Sequence, residues 1–455
     1  MKFTRAVRMA LCRPFAFAAI AALSLVSTQS ANAAQVDTPP PLAFPGAQGW
    51  AAHATGGRGG KILRVTTLSG SGPGSFAEAV NTKGPRIVVF EVGGVIDLGA
   101  KTLRVVEPDL TIAGQTAPSP GITLIRGGLD IAANNVVVRH LHIRPGSTGA
   151  ARMTGLDFDA ISTVSAHDVI VDHCSLTWAT DENLSASGTR FAAGGKTAED
   201  FANGTSRRIT FSNNLIAEGL ANSTHAKGEH SKGSLIHDHV RDILIVGNLY
   251  AHNYERNPLF KGGVRGQVIN NLIYNPGQRA AHYNLIAEEW LGHDYETGQM
   301  VLRGNVMRAG PSTQELAFFM IGGSGDIDLY AQDNLLVDRI GRHSIEAEGR
   351  YTTAPVKVND LKTAPALPFG VTLLPSAQVQ DAVIANAGAR PWDRDDIDRR
   401  ILADTIEGRG KIIDSETEVG GYPKPVETRQ AFVPEDWDLN TMESLKPLKH
   451  RDPLK

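Results

Sequence analysis

Phe211-Ser-Asn-Asn-Leu-Ile216, Ile245-Val-Gly-Asn-Leu-Tyr250, Val268-Ile-Asn-Asn-Leu-Ile273, Val301-Leu-Arg-Gly-Asn-Val306 and Tyr330-Ala-Gln-Asp-Asn-Leu-Leu336 are versions of one phrase. Each is an apolar strand, an asparagine, then another apolar residue. The last asparagines, at 214, 248, 271, 305 and 334, are spaced by 34, 23, 34 and 29 residues. A β-sandwich has no need of the same residue at the same place in every unit. A solenoid does, because each turn stacks on the last and an inward asparagine can pair with its copies above and below. Uneven spacing is expected, since insertions fall in loops on one face. The fold class this predicts is all-β: a right-handed, single-stranded parallel β-helix.

The same texture extends outward from the repeats. From Phe44 to about Ile340, short β-branched runs alternate with Gly, Asn, Asp and Pro clusters, as in Arg86-Ile-Val-Val-Phe and Val169-Ile-Val-Asp-His173. No sustained helical period interrupts them. Ser75-Phe-Ala-Glu-Ala-Val80 reads as one short helix, with Ser75 as cap and Glu78 three residues on. The division predicted is an export signal over 1–33, a proline-rich linker over 34–42, a β-helix over 43–351 and a C-terminal extension over 352–455. Within the extension, Arg390-Pro-Trp-Asp-Arg-Asp-Asp-Ile-Asp-Arg-Arg400 leads into an amphipathic helical spacing, and a Gly420-Gly-Tyr-Pro423 turn follows. The extension is expected to pack on the solenoid as a cover, since solenoid ends expose strand edges.

Residues 1–33 combine four basic residues (Lys2, Arg5, Arg8, Arg13), an apolar run from Phe15 and a small-residue site at Ala31-Asn-Ala33. Subtracting those four charges takes the formal net charge from −3 to −7. No other apolar run approaches the ~20 residues that span a bilayer. The reading is a secreted or periplasmic protein, neither membrane-embedded nor a globally basic nucleic-acid binder. A monomer is expected. Of two cysteines only Cys174 lies outside the signal, so no internal disulfide or cysteine zinc site can form. Cys174 sits in an apolar-alternating run and reads as core.

Several stretches together resemble one family, the bacterial and fungal pectate lyases of the first polysaccharide-lyase type. They are Ala43-Phe-Pro-Gly-Ala-Gln-Gly49 with Thr55-Gly-Gly-Arg-Gly-Gly60, Ser71-Gly-Pro-Gly-Ser-Phe76, Val169-Ile-Val-Asp-His-Cys-Ser175, and Arg256-Asn-Pro258 with Asn270-Asn271 downstream. The similarity runs from about 43 to 340. It implies a parallel β-helix, matching the repeat argument, and Ca2+-dependent β-elimination of polygalacturonate, an acidic polysaccharide substrate.

Cleaving a uronan by elimination requires that the C5 proton be removed, the adjacent carboxylate neutralised and the leaving oxygen protonated. A hard cation with several oxygen ligands and open positions supplies the second. Asp157 and Asp159 are two residues apart, so on a strand both point to one face. Asp181 and Glu182 follow one solenoid turn later, so all four can form one acidic cluster; the alternative is a solvated acidic loop. The resemblance places calcium ligands at Asp157, Asp159 and Asp181. The family pattern also wants an acid four residues after the third. Ser185 stands there, and Glu182 is the candidate substitute.

Arg256 ends a strand, where solenoid loops present side chains, and the resemblance makes it the base that takes the C5 proton. Its alternative is a salt bridge to Glu255 or Asp238. The resemblance puts a substrate-binding lysine at Lys232, with Lys227 as the alternative. Lys261, in the place of a second family arginine, is expected to bind a substrate carboxylate, Arg265 is expected to bind substrate beside it, and Arg279 adds positive surface. His225, His230, His237 and His239 match no zinc spacing. Asp172-His173 reads as a buried hydrogen-bonded pair. Trp50, Trp178 and Trp290 read as core, with stacking on sugar rings as the alternative. Two competing functions use the same solenoid: a glycoside hydrolase with paired carboxylates, whose product lacks the unsaturated uronide, and a non-catalytic binding or adhesin module, which would depolymerise nothing.

Overall fold

The computed structural model describes residues 40–448 apart from 231 and 291. The export segment and most of the linker lie outside the described residues. Three sheets stack the strands of successive coils in parallel: eleven strands in one, nine in the second, and nine of the ten in the third, whose last strand, Thr428–Arg429 of the C-terminal extension, pairs antiparallel at the edge. One complete coil runs Arg241–Val246, Leu249–Ala251, Leu259–Lys261, and the chain then re-enters the first sheet at Arg265–Ile269. This is the parallel β-helix that the repeats require. The ladder reaches as far as Val358–Asp360.

The register explains why the strands read as they do. Val138, Val171, Phe211, Ile245, Val268 and Leu302 are successive partners across the eleven-stranded sheet, and all are buried in the central core. Burying each such side chain contributes roughly 1.5–3 kcal/mol. The outer face is covered too. Val137 and Ile170 pack beneath Phe44, Ala47 and Ala51, while Leu244 and Ile269 pack near Trp50, Val371 and Leu373. Strands buried on both faces read as continuous apolar runs rather than alternating ones.

Each repeat asparagine turns a corner. The residue before it takes a left-handed conformation: φ is 53° at Asn213, 68° at Gly247, 52° at Asn270, 61° at Gly304 and 53° at Asp333. Gly, Asn and Asp are the types that accept this region most readily. The asparagine then points inward. Nδ2 of Asn214 donates to Oδ1 of Asn248 at 3.0 Å, Asn248 to Asn271 at 2.9 Å, Asn271 to Asn305 at 3.0 Å and Asn305 to Asn334 at 3.0 Å. Each amide also donates to a backbone carbonyl, so a buried polar column is satisfied throughout. Cys174 occupies the preceding rung, fully buried, its N–H donating to Asn214 Oδ1 at 2.9 Å. Burial pushes its thiol up to about 12, consistent with core.

Helix α1 (Phe76–Val80) is capped by Ser75, which accepts from the Glu78 N–H. Helix α2 (Ala198–Asn203), closed by a capping box between Thr197 and Asp200, has no counterpart in the sequence reading. Six residues are too few to establish a helical period. Helices α3 (Ser376–Asn386) and α4 (Asp396–Glu407) cover the ten-stranded sheet: Val379, Val383, Ile401 and Leu402 bury against Leu215, Leu249, Leu272 and Val306. The nine-stranded sheet instead carries a polar row in register: Arg104, Asp130, Ser162 and Ser185. No helix of the described residues is long and apolar enough to cross a membrane.

Candidate active site

Where each coil passes from the ten-stranded to the nine-stranded sheet, its connecting loop lies beside those of neighbouring coils. Glu182, Lys232 and Glu255 come from three successive coils and pair as parallel backbone bridges. A second asparagine chain braces the corner: Asn183 Nδ2 donates to Asn253 Oδ1 at 3.1 Å, and Asn253 Nδ2 to Asn257 Oδ1 at 3.2 Å. Between them Arg256 is held at φ 63°, a left-handed conformation that costs an arginine about 1–2 kcal/mol. That conformation is the corner device used elsewhere in the solenoid, here occupied by a charged residue.

Arg256 Nη1 donates to Glu182 Oε1, and its Nε lies 3.9 Å from Glu255 Oε1. Glu255 in turn accepts from Lys232 on Oε1 and from Arg279 on Oε2. Arg279 lies 4.2 Å over the Tyr351 ring, whose hydroxyl is 3.1 Å from His282 Nδ1. Burial draws the Arg256 guanidinium down, but Glu182, Glu255 and Asp181 outweigh it and hold it above its ordinary value. Burial lowers Lys232 against the pull of Glu255. Arg256 and Arg279 are each 19% exposed, whereas Lys232 and Lys261 are 5% and 7% exposed. The arginines are therefore the cations a ligand reaches, and the lysines act from behind them. Lys227 is exposed on its loop.

Asp159, Asp181 and Glu182 bring carboxylate oxygens within 4.8 Å of one another. Asp159 accepts from the Glu182 N–H at 2.9 Å and from the Ser185 hydroxyl at 2.6 Å. Ser185, the departure from the family pattern, thus sits within the cluster. Desolvation, reinforced by Glu182 and Asp181, holds Asp159 well above the usual carboxylate range. Three crowded oxygen donors of this kind fit a hard divalent cation. Asp157 does not join them. The chain over 155–159 is not a strand, so the two-residue alternation does not apply; Asp157 is exposed, with His225 Nε2 at 3.9 Å.

Arg265 is also placed apart: it begins a strand of the eleven-stranded sheet and faces Glu296 at 3.9 Å. Lys261 pairs with Glu289, and Asp238 is taken up by Arg190 at 3.0 Å and the Trp290 indole at 2.6 Å rather than by Arg256. His230 lies 2.6 Å from Asp181 and stacks on His225 at 3.7 Å. The Lys227 N–H donates to His225 Nδ1, which leaves the proton of the neutral ring on Nε2, facing the acids as a donor rather than a metal ligand. Asp172 and His173 form the expected pair at 2.7 Å, and Trp178 and Trp290 are core. Glu255 as the link between cations is what the sequence reading lacks. Its signal is the 24-residue step from Glu255 to Arg279, one coil onward.

No family model matches this sequence. The chain is 33% identical over 387 residues to a protein of Aspergillus terreus described as probable pectate lyase C, covering 84% of this chain and 81% of that one. It is 32% identical over 421 residues to the Aspergillus flavus protein of the same description, covering 89% and 90%. Among solved structures, the thermostable pectate lyase PL 47 superposes with a TM-score of 0.52 at 15% identity, over 75% of this chain and 97% of that one. The cedar-pollen allergen jun a 1 gives 0.50 at 17%, over 75% and 92%. The structural likeness establishes the fold, and the sequence relatives establish the class: a polysaccharide lyase built on a parallel β-helix. The chain belongs to the pectate lyase family.

Proposed function

We propose that this protein cleaves polygalacturonate by calcium-dependent β-elimination, with Arg256 removing the C5 proton. The observation that carries the reading is the position of Arg256. It is reachable from solvent and in contact with Glu182, one of three crowded carboxylates. Bound by Asp159, Asp181 and Glu182, a calcium ion supplies neutralisation of the substrate carboxylate, which acidifies the C5–H bond. Asp157, exposed beside the same His225 nitrogen that faces Asp181, is the candidate additional ligand.

Elimination breaks the C5–H and C4–O bonds and forms a C4–C5 double bond. Arg256 takes the C5 proton, the leaving oxygen takes a proton from solvent water, and Arg256 then returns its proton to the hydroxide so formed. Arg279 orients a uronate carboxylate through its fork. Lys232 supports Arg256 and Arg279 from behind through their shared partner Glu255, while Lys261, paired with Glu289, and Arg265, which faces Glu296, stand outside this cluster. Arg256 works against its surroundings while Glu182 and Glu255 both face it. Engaging Glu182 elsewhere removes the first of the influences that keep it protonated. The optimum is therefore alkaline. Export through the 1–33 signal delivers the enzyme, as a monomer, to an extracellular polymer.

The test is ultraviolet absorbance of the unsaturated uronide released from polygalacturonate. Chelation abolishes it and calcium restores it. Asp159→Asn raises the calcium requirement with an unchanged circular-dichroism spectrum. Depolymerisation without unsaturated ends would point to the hydrolase instead, and full activity in excess chelator would remove the metal assignment.

A further inference from the structure

A cavity of about 640 Å³ lies at a different corner of the solenoid, between the eleven- and ten-stranded sheets and the C-terminal extension. His140 and His173, left-handed corner residues at φ 58° and 50°, form one wall. Trp392, Arg394 and Trp437 from the extension form the other. The two indoles are half-buried. A pocket of several hundred Å3 suits a mono- or disaccharide.

Arg394 is the informative residue. It is 3% exposed. Its Nη2 donates to the carbonyls of Ile384, Ala385 and Ala387 at 3.0, 3.0 and 2.9 Å, closing the end of α3. No carboxylate lies within ion-pair distance of it among the described residues, and its Nη1 makes no hydrogen bond there. The acid whose field favours its charge, Asp398, is committed to Arg144 and Ser175, so a ligand carboxylate would find the free Nη1 uncontested. His173 adds a directed polar group. Asp172 Oδ2 holds its Nδ1 at 2.7 Å, leaving Nε2 without a hydrogen-bond partner among the described residues. Of the acids at the cavity, Glu443 is taken up by Arg139 at 2.8 Å, and Asp381 is exposed at the rim.

We propose that this cavity is a second carbohydrate site for a short uronide, with a pyranose face on an indole and the ring carboxylate on Arg394 and His173. Aromatic side chains with an apolar body suit the apolar face of a sugar, and the unbonded Nη1 of Arg394 together with His173 Nε2 suits its carboxylate. The choice of a uronide over another carboxylated ring rests on the proposed function. The site lies at a different corner of the solenoid from Arg256 and shares no lining residue with it, so it would tether chains or retain products without entering the chemistry.

The experiment uses the full chain carrying Arg256→Lys to suppress turnover, titrated calorimetrically with digalacturonate and, in parallel, with neutral digalactose. Adding Trp392→Ala, and separately Trp437→Ala, is expected to remove one equivalent of bound digalacturonate, and digalactose is expected not to bind at this site. Unchanged stoichiometry and affinity in both tryptophan variants, or equal affinity for digalactose, would overturn the proposal. Release of unsaturated product by the unsubstituted enzyme is measured alongside. Its absence would defeat the proposed function without touching the cavity result.

Discussion

Glu255 holds Lys232 through one carboxylate oxygen and Arg279 through the other, with the Arg256 side chain alongside. One residue therefore fixes cations from three coils. Lys232, with His282 and Arg256, outweighs burial and holds the Glu255 carboxyl far below the usual range. Glu255→Gln keeps the shape and removes the charge that organises them. A misplacement near 1 Å costs about 10²-fold in rate. The expected result is a fall of that order in kcat on polygalacturonate with the β-helix spectrum retained. Wild-type kcat would mean that the link is only structural.

The asparagine column makes a stability prediction. Asn248 Oδ1 accepts both the N–H and the Nδ2 of Asn214, and its own Nδ2 donates to Phe211 O and Asn271. Asn248→Leu strands these buried groups, at about 1–3 kcal/mol each before relaxation. Urea denaturation is expected to show a loss on the order of 3 kcal/mol. An unchanged midpoint would mean that the column is ornamental.

The column was legible because stacking forces one residue type to recur at one place, and the left-handed corner before it forces Gly, Asn or Asp. The site was legible only in part. Arg256, Asp159, Asp181 and Glu182 come together, yet the Arg256–Glu182 pair joins residues 74 apart. Loops of unequal length separate the coils, so no spacing rule predicts such partners. Asp157 stands outside the cluster because its segment is not a strand and two-residue alternation does not hold there, and Arg265 because four residues past Lys261 the chain has already turned into another sheet.

Acid stability tests the other corner. Burial pushes Asp172 up, but His173 and Arg139 outweigh it and hold its carboxyl far below the ordinary value. A carboxyl depressed by folding contributes stability that is present above its unfolded pKa, about 3.9, and lost as pH falls through the folded one. Thermal midpoints should hold down to about pH 4 and then fall. Asp172→Asn should be less stable at neutral pH and show a shallower acid decline. A variant with the wild-type acid profile would contradict the assignment.

The most direct measurement of the central claim is the steady-state rate of Arg256→Lys on polygalacturonate with saturating calcium. Lysine keeps the charge but loses the fork and the position of the accepting nitrogen. If Arg256 takes the C5 proton, kcat falls by at least roughly 10²-fold with a much smaller change in KM, the pattern of an interaction made mainly in the transition state. A folded Arg256→Lys enzyme with near-normal kcat and a raised KM would contradict the account and leave Arg256 as a binding residue.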